Sequence, residues 1–445
     1  MAFVLTVGVL LVLSVPVQRA GDSVQVREEA DRAPRITAVT IQAASPGEPE
    51  DAEASGASSR PPTAVDEPCT LFVAADGADD SDGTQAERSL QTAAAAVSRA
   101  VPGDVVCFSP GAYVSPNGSQ GALHIEDKHG TAAEPITFRS QDLSDPAVFT
   151  MGSVEAGRGV SVVFIQRSSY ITIDGLEITE GFRGVTGNGV SNVRLINSKI
   201  HRTGGEIVSF GRRAGRIEPE VSTNPISSLI EISSNEISDS GLADGDPFGE
   251  GIYLGTSEPS YRDDSHSFLI SDNFIHDVVD EAIDVKTGVW GVTVTNNRIE
   301  SIDVNSQGAV TISLQGENWE DGQYLISGNT ISDVTTRNVD GVAIWIGHGN
   351  TVVENNVIWD VADSGIYIPN TFNMDNARNV VLSNNTIWNT GQSSIEHGND
   401  WNEISSSPPI LQLDQTNLTW DGSDGTTRID ACDGCVPKSA GPTSS

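Results

Sequence analysis

From about residue 170 the chain alternates short apolar runs with polar turns, and most of these runs end at an asparagine followed two residues later by isoleucine. The unit recurs at Asn235, Asn273, Asn297, Asn329, Asn356 and Asn385, and as NSKI, one residue longer, at Asn197. IDGLEI (173–178) resembles the same unit with glycine in place of asparagine. The runs VRLI, FLI, VTV, YLI, TVV and VVL precede the asparagines and read as strands. Spacings range from 24 to 38 residues. Tandem helical repeats keep a tight period, whereas a parallel β-helix keeps its strands in register and lets its turns vary. The pattern therefore predicts an all-β chain, a single-stranded right-handed parallel β-helix (a β-solenoid). Each asparagine falls where the chain must turn. It tolerates left-handed backbone, and its amide can bond its counterpart in the next coil. These asparagines indicate a coil and not a site.

A second strand column lies between the asparagine units: EGIYLG (250–255), EAIDVK (281–286), GAVTIS (308–313), DGVAIW (340–345), SGIYIP (364–369) and SSIEHG (393–398). Aligned on their apolar residues, the third and fifth positions face the core, so the fourth and sixth face outward. The outward fourth position reads Tyr253, Asp284, Thr311, Ala343, Tyr367, Glu396, and the sixth reads Gly255, Lys286, Ser313, Trp345, Pro369, Gly398. This places Lys286 on an exposed sheet face beside Asp284, with Tyr253 one coil before and Trp345 two coils after. Aromatic faces beside charged groups suit sugar rings. Tyr253, Trp345, Tyr367 and Glu396 are the expected substrate-binding residues. An ordinary solvated sheet face is the competing reading.

The segment before the repeats reads differently. Residues 69–114 alternate strand, acidic turn, helix and strand, with one short N-terminal helix at about 89–100, broken by PGD. Residues 1–20 carry an apolar run from 3 to 17, short for a span and suited to a signal peptide, although its first residues lack positive charge. A short membrane anchor is the alternative. No later segment is long and apolar enough to span. Residues 21–66 read as a disordered acidic linker, 67–425 as the β-helix domain, and 426–445 as a disordered tail with a CxxC.

Net charge is −36, with a pI near 4.3. Nucleic acid is thereby excluded as a partner, since its phosphates would be repelled. The balance suits a secreted monomer that meets no membrane after signal cleavage, and one working at high salt, where repulsion is screened. The four cysteines are Cys69, Cys107, Cys432 and Cys435. In a secreted chain they pair as disulfides, Cys69 with Cys107 at the start of the fold and Cys432 with Cys435 in the tail. A zinc site would need the two distant pairs to meet. Sequons at Asn117, Asn384 and Asn417 matter only in a glycosylating host.

The opening from Cys69, CTLFVAADGADDSDGTQAERSLQTAAAAVSRAVPGDVVCFSPGAY, with GTAAEPITF (130–138), resembles that of secreted right-handed parallel β-helix proteins, among them polysaccharide lyases of families 6 and 9, the pectate and alginate lyases. The resemblance runs from about 69 to 420. NFIHDVVDEAIDVKTG (273–288) is similar to the family 6 pattern of Asn, Phe, Glu, and Lys five residues after that Glu. The resemblance implies Lys286 as catalytic base and Glu281 as a calcium ligand. The pattern's second calcium glutamate falls on Ile283, and its arginine has no counterpart in 310–315. Asp280, Glu281 and Asp284 also resemble the acidic calcium cluster of family 9, whose lysine lies further along the chain.

Elementary chemistry agrees in outline. Cleaving a uronate polymer by β-elimination needs a base, neutralisation of the substrate carboxylate and a proton for the leaving oxygen. Nearby carboxylates hold a lysine charged and so oppose its use as a base. Ca²⁺ on Asp280, Glu281 and Asp284 would cancel that charge and let an acidic chain accept an acidic polysaccharide. The competing readings are a surface ion pair for Lys286 and turn residues for Asp280 and Glu281. Two other functional classes stand open. A glycoside hydrolase would draw a carboxylate pair from Glu250, Glu281, Asp284 and Glu396. Gly347-His348-Gly349 matches a polygalacturonase-like GHG, but the accompanying motifs are absent. A non-catalytic polysaccharide-binding or surface protein is the third class. The remaining histidines show no metal-ligand spacing.

Overall fold

In the computed structural model, described for residues 68–115, 121–155, 160–212, 225–244, 249–256, 263–313, 323–337, 341–347, 350–369 and 380–397 and for strand backbone at 411–413, 418–421 and 426–427, each coil of chain lays one strand on each of three sheets. The first sheet has 12 strands, from Leu71–Val73 to Leu411–Leu413. The second also has 12, from Gly111–Val114 to Leu418–Asp421 and Thr426–Thr427, and the third has 10, from Leu123–Glu126 to Ile395–His397. Successive coils pair in parallel, and among the described residues the single antiparallel pair is Leu418–Asp421 with Thr426–Thr427. This is the expected parallel β-helix. All of it lies in the unit Ala64–Ser445. The signal peptide, the linker, the tail beyond the strand Thr426–Thr427, Cys432, Cys435, Asn117, Asn417, His348 and Gly349 lie outside the described residues.

Alternation builds the core. Ile252 and Leu254, Ile283 and Val285, Val310 and Ile312 point inward from successive strands and are fully buried. Burying such side chains contributes about 1.5–3 kcal/mol each. The start of the stack is covered by the helix Ala93–Arg99, shorter than the expected 89–100. Leu90 instead donates its backbone N–H to the Phe72 carbonyl and accepts from Ala74 N just past that strand, and Thr92 caps the helix by accepting from the Ala95 N–H. Ala93, Ala96 and Val97 are its buried face. Cys69 and Cys107 form the expected disulfide, tying the first coil to the strand Val105–Phe108.

The asparagines form the corner between first and second sheets. Each amide donates to the side-chain oxygen of its counterpart one coil on: Asn235 to Asn273 at 3.0 Å, Asn273 to Asn297 at 2.9 Å, Asn297 to Asn329 at 3.0 Å, Asn329 to Asn356 at 3.0 Å and Asn356 to Asn385 at 2.9 Å. One expectation is corrected. The left-handed backbone belongs to the residue before each ladder asparagine: Ser234, Asp272, Asn296, Gly328, Asn355 and Asn384. Two successive residues thus divide the work. The same division explains the longer NSKI unit, where Asn197 is the left-handed residue and Ser198 takes the ladder position, accepting from Leu176 N. In IDGLEI, Gly175 likewise turns the chain.

Asn297 tests the ladder. Replacing it with alanine removes the acceptor of the Asn273 backbone N–H and the donor to the Ile270 carbonyl, all buried. The expected loss is about 3 kcal/mol, read as a lower denaturant midpoint at unchanged slope.

Candidate functional site

The third sheet positions the candidate residues. Its strands Ile252–Leu254, Ile283–Val285, Gly308–Ile312, Val342–Ile346, Ile366–Ile368 and Ile395–His397 are the second strand column read from the sequence. Tyr253 pairs in register with Asp284, Asp284 with Thr311, Thr311 with Trp345, Trp345 with Tyr367, and Tyr367 with Glu396. Tyr253, Asp284, Trp345, Tyr367 and Glu396 therefore share one row on one face, one coil, about 4.8 Å, per step.

Trp345 departs from its expected position. Alignment on apolar residues set Val342 opposite Val310, but Val310 pairs with Ile344. Val342, Ile344 and Ile346 are apolar at a period of two, so a shift by two residues keeps the same face inward, and alternation cannot choose between them. The shift brings Trp345 out of the Lys286 row into the row of Asp284 and takes Ala343 out of it.

Exposure is also corrected. Asp284 is fully buried, and Tyr253 and Trp345 are nearly so. Lys286 follows its strand at the first residue of a tight turn, closed by a hydrogen bond from Val289 N to the Lys286 carbonyl. Its side chain folds back, making an ion pair with Asp284 and placing Nζ 5.1 Å from the centre of the Tyr253 ring. Such a charge over an aromatic face is attractive. Ser313 adds a long contact, 3.5 Å, to Asp284 Oδ1. These neighbours occupy space that the sequence reading assigned to solvent.

The acidic group differs in membership from the one expected. Glu250, Glu281 and Asp284 each offer an oxygen, and these oxygens lie within 4.8 Å of one another. Asp280 stands at the edge. It is buried, at φ 121°, and shares with Glu281 the hydroxyl of Ser306, which donates to Asp280 Oδ1 at 2.9 Å. Glu250 was legible only as one of several possible hydrolase carboxylates. It is 4% exposed, and its Oε2 is buried without a hydrogen-bond partner among the described residues. A signal for it existed: Glu250 and Glu281 open two successive aligned segments, EGI and EAI.

Burial pushes the carboxyls of Glu250 and Glu281 well above their usual range, and neighbouring acids push the same way: Glu206, Asp284 and Asp280 on Glu250, and Asp284 and Asp280 on Glu281. Asp284 is raised by burial too, with Lys286 opposing. For Lys286, burial favours the neutral amine, but Asp284, Glu281 and Tyr253 outweigh it and hold the ammonium above its usual range.

The group fits a divalent cation of the calcium type. Its donors are all oxygens, with no sulfur or imidazole. Two oxygens on opposite sides of a Ca²⁺ ion stand about 4.8 Å apart, from ligand distances of about 2.4 Å. A buried carboxylate oxygen without a partner is what such an ion would satisfy.

No known protein family matches the sequence, and no curated protein matches it either. Solved structures do share the fold. An alginate lyase from Paenibacillus sp. str. FPU-7 aligns with 69% of this chain and 96% of its own, at 21% identity and TM-score 0.51. A GH136 lacto-N-biosidase from Eubacterium ramulus aligns with 78% of this chain and 67% of its own, at 15% identity and TM-score 0.51. No helix among the described residues is long and apolar enough to cross a membrane.

Proposed function

We propose that this chain is an exported, calcium-assisted lyase that cleaves a uronic-acid-containing polysaccharide by β-elimination. The observation that carries the reading is Lys286 held against a buried three-carboxylate group, one member of which, Asp284, shares a row with aromatic side chains on one sheet face. The disulfide Cys69–Cys107 supports export, since such bonds persist in oxidising compartments.

Glu250, Glu281 and Asp284 would hold the ion, with Asp280 beside them. A Ca²⁺ ion held there would offset two of these negative charges and supply a positive partner for the carboxylate of the uronate. Lys286 would take the proton next to that carboxylate as the carbon–oxygen bond breaks, leaving a double bond in the sugar ring. The leaving oxygen takes up a proton from solvent water. With most of their charge offset by the ion, these carboxylates would hold Lys286 less firmly in its charged form, which favours proton acceptance. Tyr367, partly exposed, would stack against a sugar ring two coils past Thr311, Trp345 beside it would offer only the edge that burial leaves open, and Glu396 would meet hydroxyls at the end of the row. Tyr253 packs against Lys286 and would steer its amine.

A hydrolase reading draws on one observation. Oxygens within 4.8 Å are near the roughly 5–5.5 Å carboxylate separation of retaining glycosidases. Full burial of Asp284 counts against attack on a sugar by that group. The two readings separate in one experiment. Acidic polysaccharides are incubated with the protein, with and without calcium, while ultraviolet absorbance and reducing ends are followed. New absorbance that needs calcium supports the lyase. Reducing ends without absorbance establish the hydrolase, and binding without either leaves a polysaccharide-binding protein.

A further inference from the structure

The acidic group continues one coil further toward the start of the helix, and there it meets a cation. Val185, Val208, Ile252 and Ile283 are partners in register on successive strands. The residues two places before them are Arg183, Glu206, Glu250 and Glu281. Hydrogen bonds from Ile207 N to the Glu250 carbonyl and from Gly251 N to the Glu281 carbonyl, both 2.9 Å, keep the glutamates in file. One position of the coil thus carries three glutamates in a row, capped by an arginine. Parallel strands are spaced at about 4.8 Å, so each glutamate would repel its neighbour across one coil.

Glu206 is nevertheless not among the clustered oxygens. Arg183 holds it by two bonds, Nε to Oε2 at 2.8 Å and Nη2 to Oε1 at 3.3 Å. Both side chains are largely buried, at 10% and 14% exposure. Such a two-point pair fixes the direction of the carboxylate as well as balancing its charge. Glu250, next in file, has no such two-point partner among the described residues: its Oε2 is buried without a hydrogen bond, and one of its carboxylate oxygens belongs to the cluster. The difference between two glutamates at the same coil position is therefore Arg183.

We propose that Arg183 sets the cation affinity of the site by withholding Glu206 from it, so that three carboxylates rather than four face the ion. The inference rests on the calcium reading above. It makes Arg183 a positioning residue, with no contact to substrate. The alternative is an ion pair that serves only to hold two turns together.

Calorimetric titration of Ca²⁺ into the chelator-treated full chain separates them, because ligand charge sets the affinity of oxygen-donor sites. Arg183→Gln releases Glu206 beside Glu250, and the dissociation constant falls about tenfold or more. Arg183→Lys keeps the charge but gives up the two-point hold, so Glu206 is partly released and the dissociation constant falls by less than in Arg183→Gln. Glu206→Gln leaves Arg183 unbalanced near the site and weakens binding. Combining Arg183→Gln with Glu206→Gln brings affinity back to the natural value. An ion pair of purely structural worth gives another result: Arg183→Gln then binds no more tightly, and adding Glu206→Gln restores nothing. That result overturns the proposal, and so does an Arg183→Lys chain that binds calcium no more tightly than the natural one, which needs no folded Arg183→Gln variant. A natural chain that takes up no calcium overturns the calcium reading and this inference with it.

Discussion

Lys286→Ala abolishes formation of the ultraviolet-absorbing double bond, with kcat/KM falling about 10³-fold, in the middle of the range for removal of a general base. Alanine also leaves Asp284 buried without its cation, which is expected to destabilise the fold by about 3–5 kcal/mol. A loss of activity alone would thus be ambiguous, and Lys286→Arg resolves it. Arginine keeps a positive charge beside Asp284, and thermal stability stays near that of the natural chain. Its guanidinium does not give up a proton at working pH, so the double bond still fails to form. If the arginine variant keeps more than about a tenth of the natural rate, Lys286 is a partner for Asp284 and not the base.

Glu250→Gln has effects of opposite sign with and without calcium. In chelator, glutamine removes one of three crowded buried charges, and stability at pH 8 rises by about 2 kcal/mol. With calcium, the natural chain gains about 2.7 kcal/mol at a hundredfold excess over the dissociation constant. The variant gains little, having lost a ligand. The pH dependence follows from the same burial. Glu250 and Glu281 have folded-state carboxyl pKa values raised above their unfolded values. Their contribution is therefore complete below the unfolded value of about 4.5 and is lost as pH climbs toward the folded values. The chelated natural chain should melt at lower temperature at pH 8 than at pH 5, and Glu250→Gln should flatten that slope. Melting curves across this range, with calcium and with chelator, give all the comparisons. A chelated Glu250→Gln chain less stable than the natural one at pH 8 would show that Glu250 is held by interactions this account lacks.

Much of this is legible in the sequence. Ile283 and Val285 alternate with Asp284 and Lys286, which is enough to put the acid and the lysine on the outward side of a strand. The recurring asparagines, with uneven spacing, were enough for a stacked coil. The placement of Tyr253 beside Asp284, and of Tyr367 beside Glu396, followed from aligning apolar positions and agrees with the register found. Trp345 did not follow, because a strand with three alternating apolar residues has two registers that bury the same face. Nor did the asparagine corner resolve into a left-handed residue and a ladder residue, since doublets such as Asn296-Asn297 offer the same side chain for both.

Periodicity is a local property, and local properties carry the architecture here: the strands, their inward faces, the coil and the side of the sheet on which Lys286 lies. Membership of the acidic group is not local. Glu250 joins Glu281 and Asp284 in place of Asp280, and Arg183 draws Glu206 away, because contacts between coils link residues some twenty to forty-five apart in the chain. Burial of Asp284 is likewise set by its neighbours on adjoining coils and on the turn that follows, and an alternating strand looks the same whether its outer face is covered or bare. Stacking fixes distances between side chains that no spacing along one strand can encode.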